Sequence, residues 1–254
     1  MSKISVLIAA AGKGSRAGLP YPKTLFPIKG KPVLVHIAEL LAPYDAEPTV
    51  IVNEDGKEQI KQCLLKNNIQ AQLVLQSRPR GMGDAVLCID NTEEFANSEH
   101  VLLVWGDIPF IKRETVETMI NYHLERDSDF TFASRVVDEA YTMVLRDKSG
   151  NVTRLIETLE EGIADLGPGE RDIGLFIFRR SLILQALHEE LPNKWGKSTG
   201  EHGFLYIIEH LVSKGLQVEA LPIAKEIELV SLNKIEDVSS YTTQSYQSVY
   251  DKLV

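Results

Sequence analysis

Two glycines and three cations follow the first apolar run of the chain, and together they predict a phosphate-binding loop. Gly12 and Gly14 leave backbone N–H groups accessible, and such groups can surround a phosphate or a base edge. Lys13, Arg16 and Lys23 add three positive charges within eleven residues. Three cations that converge on one ligand favour a triphosphate over a monophosphate.

The same glycines also fit a dinucleotide-binding fingerprint, which is the main alternative. Residues 12–17 match G-x-G-x-x-A, a pattern that needs an acidic residue about 20 positions further on, at the end of the second strand. The second apolar run ends near residues 53–55, roughly twice as far away, so NAD binding is less favoured. A P-loop is excluded because Gly14, rather than Ser or Thr, follows Lys13.

A carboxylate follows a continuous apolar run near the middle of the chain. Residues 101–105 (VLLVW) are typical of a central parallel strand buried on both faces, and Asp107 comes directly after the next glycine. Open α/β sheets bind ligands at the carboxyl ends of their strands. Mg²⁺ commonly takes one or two protein oxygens together with substrate phosphates. Asp107 is therefore a predicted magnesium ligand, with a helix-capping role as the alternative.

The elements that must position these residues alternate regularly in the first half of the chain. Strand and helix patterns follow one another over residues 1–126, which predicts an α/β fold with a Rossmann-like, doubly wound, mainly parallel sheet. After residue 127 short strand patterns dominate, so we expect a mixed sheet with short additional strands. The predicted strands are residues 4–9, 49–53, 72–75, 101–105, 130–134, 143–146, 152–156, 173–178, 218–221 and 227–229. The predicted helices are residues 32–42, 54–67, 83–90, 113–126, 182–190 and 204–214, with a C-terminal helix from about 236.

Composition narrows the classes of function. The chain has 254 residues and a net charge of −9, which argues against nucleic-acid and anionic-membrane partners because both need a basic surface. The two cysteines are isolated, which favours reduced thiols and a cytoplasmic protein. We also expect no membrane span and no signal peptide, because apolar runs of the required length are missing.

Seven segments in order resemble the motifs of the sugar-1-phosphate nucleotidyltransferases. The first carries the glycine loop and Lys23, the second resembles the base-reading segment of that family, and the third contains Asp107. The segments are LIAAAGKGSRAGLPYPKTLFPIKGKPVL (7–34), VLQSRPRGMGDAV (74–86), VWGDIPFI (104–111), VTRLIE (152–157), DIGLFIF (172–178), GEHGFLYIIEHLVSKG (200–215) and LNKIED (232–237). They cover nearly the whole chain, and they are most similar to the uridylyltransferase domains that make UDP-N-acetylglucosamine.

The resemblance implies a reaction and a domain plan. A nucleoside triphosphate, with UTP favoured, would react with a sugar 1-phosphate to give a nucleotide sugar and pyrophosphate, by Mg²⁺-dependent in-line attack on the α-phosphate. The acetyltransferase activity of the bifunctional members is not implied. One domain over residues 1–254 is expected, with a nucleotide-binding half (about 1–126), a sugar-phosphate-binding half (about 127–232) and a C-terminal helix (about 233–254). The alternatives are a cytidylyl- or thymidylyltransferase for another phosphorylated substrate, and a non-catalytic sugar-nucleotide sensor. Homo-oligomers are possible.

The resemblance also implies a role for individual residues. By position in the motifs, the catalytic residues are Arg16 and Lys23; the nucleotide-binding residues are Ala10, Ala11, Gly12, Lys13, Gly14, Gln76, Gly81 and Met82; the sugar-binding residues are Glu157, Asp172 and Gly174; and the Mg²⁺ ligands are Asp107 and Asn233.

Three positions depart from the motifs of the resembled enzymes. Met82 stands where threonine is usual, Asp172 where the N-acetylglucosamine enzymes carry asparagine, and Tyr206 where the family carries aspartate. An amide both donates and accepts hydrogen bonds, whereas a carboxylate only accepts them.

Overall fold

The structure is a computed structural model that describes residues 3–12, 18–78, 80–90, 92–163 and 167–232. The strands are β1 (Ile4–Ala9), β2 (Pro27–Ile28), β3 (Lys31–Pro32), β4 (Thr49–Val52), β5 (Gln72–Leu75), β6 (His100–Trp105), β7 (Phe130–Val137), β8 (Thr142–Arg146), β9 (Val152–Glu157), β10 (Gly169–Arg179) and β11 (Val218–Leu221). The α-helices are α1 (Val33–Leu41), α2 (Lys57–Lys66), α3 (Met82–Leu87), α4 (Glu93–Ala96), α5 (Arg113–Glu125), α6 (Arg180–His188) and α7 (Ile207–Ser213). Short 3₁₀ helices form at Lys23–Leu25 and Glu226–Leu229.

A seven-stranded sheet runs through both halves of the chain, in the order β11-β7-β10-β6-β1-β4-β5. All neighbouring pairs in it are parallel except those of β10, which is antiparallel to β6 and β7. The predicted Rossmann-like, mainly parallel mixed sheet is therefore confirmed. Because β4 and β6 lie on opposite sides of β1, the strand order reverses there, and such a reversal opens a crevice at the carboxyl ends of the two strands.

The sheet is buried on both faces, which explains the continuous apolar runs of its central strands. Leu102 and Val104 of β6 pack into one apolar cluster together with residues of α1, α2 and α5. Val101 and Leu103 point to the other face and pack with residues of α3, α6 and α7. Side chains of a strand alternate between faces, so each helix layer covers every second residue.

A separate two-stranded hairpin, β8–β9, completes the second half of the molecule. It packs against β10 near Asp172, where Thr142 of β8 donates a hydrogen bond from Oγ1 to Asp172 Oδ1 over 2.6 Å. The register of β10 against β7 shifts between Asp172 and Phe176, which marks a β-bulge at this point. The short additional strands expected in the second half are therefore present.

One predicted strand is wrong. Residues 227–229 alternate apolar and polar side chains, but they form the 3₁₀ helix Glu226–Leu229. The reason is Glu228, which is fully buried and accepts hydrogen bonds from Lys112 N (2.8 Å), Thr115 Oγ1 (2.9 Å) and Lys225 N (2.8 Å). A carboxylate that turns inward to three donors requires a tight turn rather than an extended strand.

Other differences from the sequence prediction are small. The hairpin β2–β3, the short helix α4 and the 3₁₀ helix at Lys23–Leu25 were not predicted, and helix and strand ends differ by a few residues. The predicted C-terminal helix lies outside the described residues. Among the helices in the described ranges, none is long and apolar enough to cross a membrane.

Candidate functional site

The loops after β1 and β6 lie side by side at the crevice. Gly106 N donates a hydrogen bond to Ala9 O over 2.9 Å, and a Cβ on Gly106 would lie 2.7 Å from that oxygen. Only a residue without a side chain allows this approach. The loop that begins at Ala10 and the loop that carries Asp107 therefore open into the same crevice.

Asp107 forms an ion pair with Lys23 in this crevice. Lys23 Nζ contacts Asp107 Oδ2, and the two side chains are 24% and 11% exposed. Within the described ranges Lys23 is the one side chain that hydrogen-bonds this carboxylate, which leaves Oδ1 available. The helix that follows begins at Arg113, with Lys112 as its N-cap, so Asp107 does not cap it.

The glycine loop reaches the same ion pair. A Cβ on Gly12 would lie 3.3 Å from Lys23 Cε, so the stem of the lysine runs along the exposed Gly12. The two residues before Gly12 are fixed, because Ala10 N donates to Ile51 O (2.9 Å) and Ala11 O accepts from Asn53 Nδ2 (2.6 Å). Lys13, Gly14 and Arg16 lie outside the described residues, and their roles stay predictions.

The C-terminal end of the described chain returns to Asp107. Leu232 N donates a hydrogen bond to Asp107 O over 2.9 Å, and Leu232 is fully buried. The predicted second metal ligand, Asn233, is the next residue and lies outside the described residues, so its ligand role stays a prediction. This contact brings Leu232, the last described residue of the chain, to the strand end that carries Asp107.

On the other side of β1, Gln76 follows β5 and is almost completely buried. Its Nε2 donates to Gly81 O and to Asp84 Oδ2, both over 3.0 Å. A carbonyl and a carboxylate only accept, so both N–H groups of the amide must face them. Oε1 of Gln76 therefore remains as an acceptor beside Gly81, while the neighbouring Met82 is half-buried at the start of α3.

Two glycines let this segment pack directly on a distant one. A Cβ on Gly81 would lie 2.4 Å from His202 O, and a Cβ on Gly83 would lie 2.1 Å from Gly203 O. Gly81 also has a φ of 109°, which side chains rarely tolerate. Gly83 N in turn donates to His202 O over 3.0 Å. The two segments therefore form one wall of the crevice.

The imidazole of His202 is enclosed in that wall. Its ring lies 5.3 Å from the ring of Trp195 and 5.9 Å from that of Tyr206, and Nε2 is 3.1 Å from Tyr206 Oη. Burial, together with the charge of Lys194, lowers the pKa of His202. The imidazole is therefore neutral near pH 7, and its role in the wall is to pack and to hydrogen-bond Tyr206.

The predicted sugar-binding residues lie on the β8–β9 hairpin and β10. Glu157 ends β9, and its Oε1 would be 3.7 Å from a Cβ on Gly203. Burial and the neighbouring carboxylates, first of all Asp172, raise the pKa of Glu157 to about 7. In the described ranges no hydrogen-bond donor contacts the Glu157 carboxylate, which is half-buried beside Gly203.

Asp172 and Gly174, in contrast, are committed to the protein interior. Asp172 is fully buried, and its two oxygens accept from Thr142 Oγ1 (2.6 Å) and Gly174 N (2.9 Å). Burial raises the pKa of Asp172. Gly174 has a φ of 76°, and a Cβ there would lie 2.4 Å from Ile108 Cδ1. Gly174 therefore packs against the loop that carries Asp107 and Ile108, and the sugar-binding roles of Asp172 and Gly174 stay predictions.

Several residues near the site were not predicted from the sequence. Thr142 holds Asp172, and Arg171 stacks on the ring of Tyr141 with 3.9 Å between the guanidinium carbon and the ring centroid. Asp172 and Asp107 lie near enough to Tyr141 to contribute, with burial, to raising the pKa of its hydroxyl. A signal was available for the wall of the crevice, because Gly83 lies inside α3 and a glycine inside a helix indicates close packing.

The sequence is similar to those of known proteins over most of its length. The sequence model of the MobA-like NTP transferase domain matches residues 6–180, more than half of the chain. The bifunctional protein GlmU of Thermodesulfovibrio yellowstonii is 28% identical over 242 residues, covering 93% of this chain and 51% of that protein. GlmU of Geobacillus thermodenitrificans is 27% identical over 236 residues, covering 92% of this chain and 50% of that protein. The chain therefore spans about half the length of the curated relatives it matches.

Solved structures share the fold. A UDP-glucose pyrophosphorylase complexed with UDP-glucose superposes with a TM-score of 0.71 at 18% identity, covering 99% of this chain and all of that one. The 4-diphosphocytidyl-2C-methyl-D-erythritol synthase of Anaerococcus prevotii superposes with a TM-score of 0.63 at 18% identity, covering 94% and 96%. At 18% identity the similarity to these two structures shows a shared fold and no more.

Proposed function

The chain belongs to the family of MobA-like NTP transferase domains, and on that premise we propose that it joins UTP to a sugar 1-phosphate and releases pyrophosphate. It is a nucleotidyltransferase. The observation that carries the proposal is the meeting of a cation, Lys23, and a carboxylate, Asp107, beside Gly12 at the reversal point of the sheet. A triphosphate and a metal ion need these groups in one crevice.

The reaction is a displacement at phosphorus. An oxygen of the sugar phosphate forms a bond to the α-phosphorus of the triphosphate, and the bond from that phosphorus to the bridging oxygen of pyrophosphate breaks. The attacking phosphate is largely dianionic near pH 7, so it needs no general base. The protein has to hold two anions in line and to offset the charge that develops on pyrophosphate. Arg16, Lys13 and Lys23 are the proposed cations, with Arg16 and Lys23 closest to the reacting phosphates.

Asp107 and Asn233 are the proposed protein ligands of Mg²⁺. Asp107 fits this role because it lies at the ligand edge of the sheet and keeps one carboxylate oxygen available. Asn233 is supported by the return of Leu232 to Asp107 O. Hard oxygen ligands and the phosphates of the nucleotide are what Mg²⁺ prefers, and the bound ion would neutralise charge on the phosphate oxygens.

The orientation of Gln76 supports a pyrimidine with a donor at N3. Both N–H groups of its amide are used inside the protein, so Oε1 can only accept from the base. Uracil and thymine present N3–H, whereas N3 of cytosine is an acceptor. This favours UTP or dTTP over CTP when Gln76 faces N3. Ala10, Ala11, Gly12, Gly14, Gly81 and Met82 would line the rest of the nucleotide site.

Glu157 is the proposed contact to the sugar, because its carboxyl lies beside Gly203 without a donor in the described ranges and can accept hydrogen bonds from hydroxyl groups. Asp172 and Gly174 are proposed to shape the same pocket from below. The two substrates are the proposed partners, and cytoplasm is the proposed location since both cysteines are free.

A screen for pyrophosphate release tests the proposal. UTP, dTTP, CTP, ATP and GTP are each paired with a panel of sugar 1-phosphates at fixed Mg²⁺, with the Asp107→Asn protein as the matched control. We expect release with UTP and at least one sugar phosphate, and little with the control. A thermal shift with NAD and none with any triphosphate would contradict the proposal, because ligand binding to the native state raises the melting temperature. Clear preference for CTP would overturn the base assignment alone.

A further inference from the structure

Lys23 and Asp107 have different proposed ligands, yet they form an ion pair with each other. Lys23 Nζ contacts Asp107 Oδ2 within a part-buried pair, and the lysine stem lies against Gly12. The backbone around Lys23 is anchored, because Leu25 N donates to Pro22 O (2.8 Å) and Phe26 N donates to Lys23 O (3.0 Å). Rotation of the lysine side chain alone can therefore part the two groups.

An ammonium group and a divalent cation compete for the same carboxylate. A metal that binds Asp107 while Lys23 remains there must face a like charge at hydrogen-bond distance, in surroundings less polar than water. A triphosphate offers Lys23 another anion. Moving the ammonium to the phosphates frees Asp107 and exchanges one ion pair for another, so that neither charge is left unpaired.

We propose that Lys23 stays paired with the Asp107 carboxylate in the ligand-free enzyme and prevents it from binding the metal. The phosphates of the nucleotide then attract the lysine ammonium and free the carboxylate. This inference rests on the proposed function. It makes binding of nucleotide and binding of metal positively coupled, and the coupling is reciprocal: each ligand tightens the other by the same factor. The metal then enters together with the nucleotide.

The test is a titration of the nucleotide-free protein with Mn²⁺, followed by the electron paramagnetic resonance signal of free Mn²⁺. The variants are Lys23→Met, Asp107→Asn and the double variant. Lys31→Met is the matched control. This substitution removes the same charge and also breaks a Lys–Glu ion pair, that of Lys31 with Glu39, but at an exposed position. Melting temperatures check that each variant folds, and Lys23→Gln replaces Lys23→Met if that variant does not.

Lys23→Met is expected to bind Mn²⁺ about tenfold tighter than the wild type, a typical size for coupling between sites. Lys31→Met should match the wild type, and the double variant should lose the gain. Equal affinity of Lys23→Met and Lys31→Met, or a gain that persists without the Asp107 carboxylate, would overturn the proposal. Pyrophosphate release separates this from failure of the proposed function. If Asp107→Asn keeps its Mg²⁺ dependence, the metal assignment itself is wrong.

Discussion

The proposed nucleotide side and the proposed sugar side of the crevice, called below the nucleotide side and the sugar side, are built on different principles. On the nucleotide side, Gly12, Gln76 and Asp107 follow the ends of three parallel strands, β1, β5 and β6. Parallel strands bring their carboxyl ends to one edge of the sheet, so these residues reach the same edge. On the sugar side, Glu157 and Asp172 lie within antiparallel strands, where pairing decides which side chains face each other.

The electrostatics differ in the same way. On the nucleotide side opposite charges are paired, as Lys23 is with Asp107. On the sugar side carboxyl groups lie together: burial with like charges raises the pKa of Glu157, and burial raises that of Asp172. The first arrangement suits anionic phosphates and a metal ion. The second suits neutral hydrogen-bond donors such as sugar hydroxyls, and it costs stability when the carboxyl groups ionise.

The largest expected effect is on the nucleotide side. Asp107→Asn should lower turnover by at least about 10²-fold, because it removes a charge placed for the transition state, and should leave the melting temperature nearly unchanged. Pyrophosphate release is measured against Mg²⁺ concentration. Asp147→Asn, in the exposed β8–β9 turn, is the control and should behave as wild type. Normal turnover by the Asp107→Asn enzyme would contradict the prediction that the nucleotide side carries the charge needed for the reaction.

A smaller effect is expected where the two sides join. The Cβ of Gly83→Ala would lie 2.1 Å from Gly203 O, so the wall must shift, which costs about 1–3 kcal/mol of stability. The KM for the nucleotide should rise with it, because Gly81 and Gln76 move too. Chemical denaturation and kinetics check this. Gly167→Ala, whose Cβ meets no atom within 4 Å, is the control. Equal stability of both variants would mean that the wall is not rigid.

The third effect is a pH dependence of stability on the sugar side. The pKa of Glu157 is about 7 in the folded protein and near 4.5 in the unfolded chain. The folded state therefore holds this proton more tightly, and the free energy of unfolding falls as pH rises through that range. Glu157→Gln should flatten the fall, as measured by urea denaturation between pH 4.5 and 8. Glu58→Gln, at an exposed position of α2, should leave it unchanged. An unaltered slope in Glu157→Gln would assign the dependence to another group, such as Asp172.

Much of the nucleotide side was predictable from the sequence. The alternation of apolar strands and amphipathic helices predicted the mainly parallel sheet, and the buried run at 101–105 placed Asp107 at its ligand edge. Such predictions succeed because they depend on side-chain periodicity within one element and on the common edge of parallel strands. The predicted strand at 227–229 failed for the opposite reason: the partners of Glu228 at Lys112 and Thr115 lie more than 100 residues away.

The tertiary structure alone decided the interaction partners, side-chain orientation and pKa of the site residues. Lys23 and Asp107 are separated by 84 residues, and no local pattern in either segment predicts that they form an ion pair. The amide orientation of Gln76 depends on Gly81 and Asp84. The raised pKa of Glu157 depends on Asp172 of another strand. The sequence by itself determined which residues reach the ligand edge, because local pattern governs each strand and its end. Charge pairing, burial and close backbone approach depend on segments that meet only when the chain has folded.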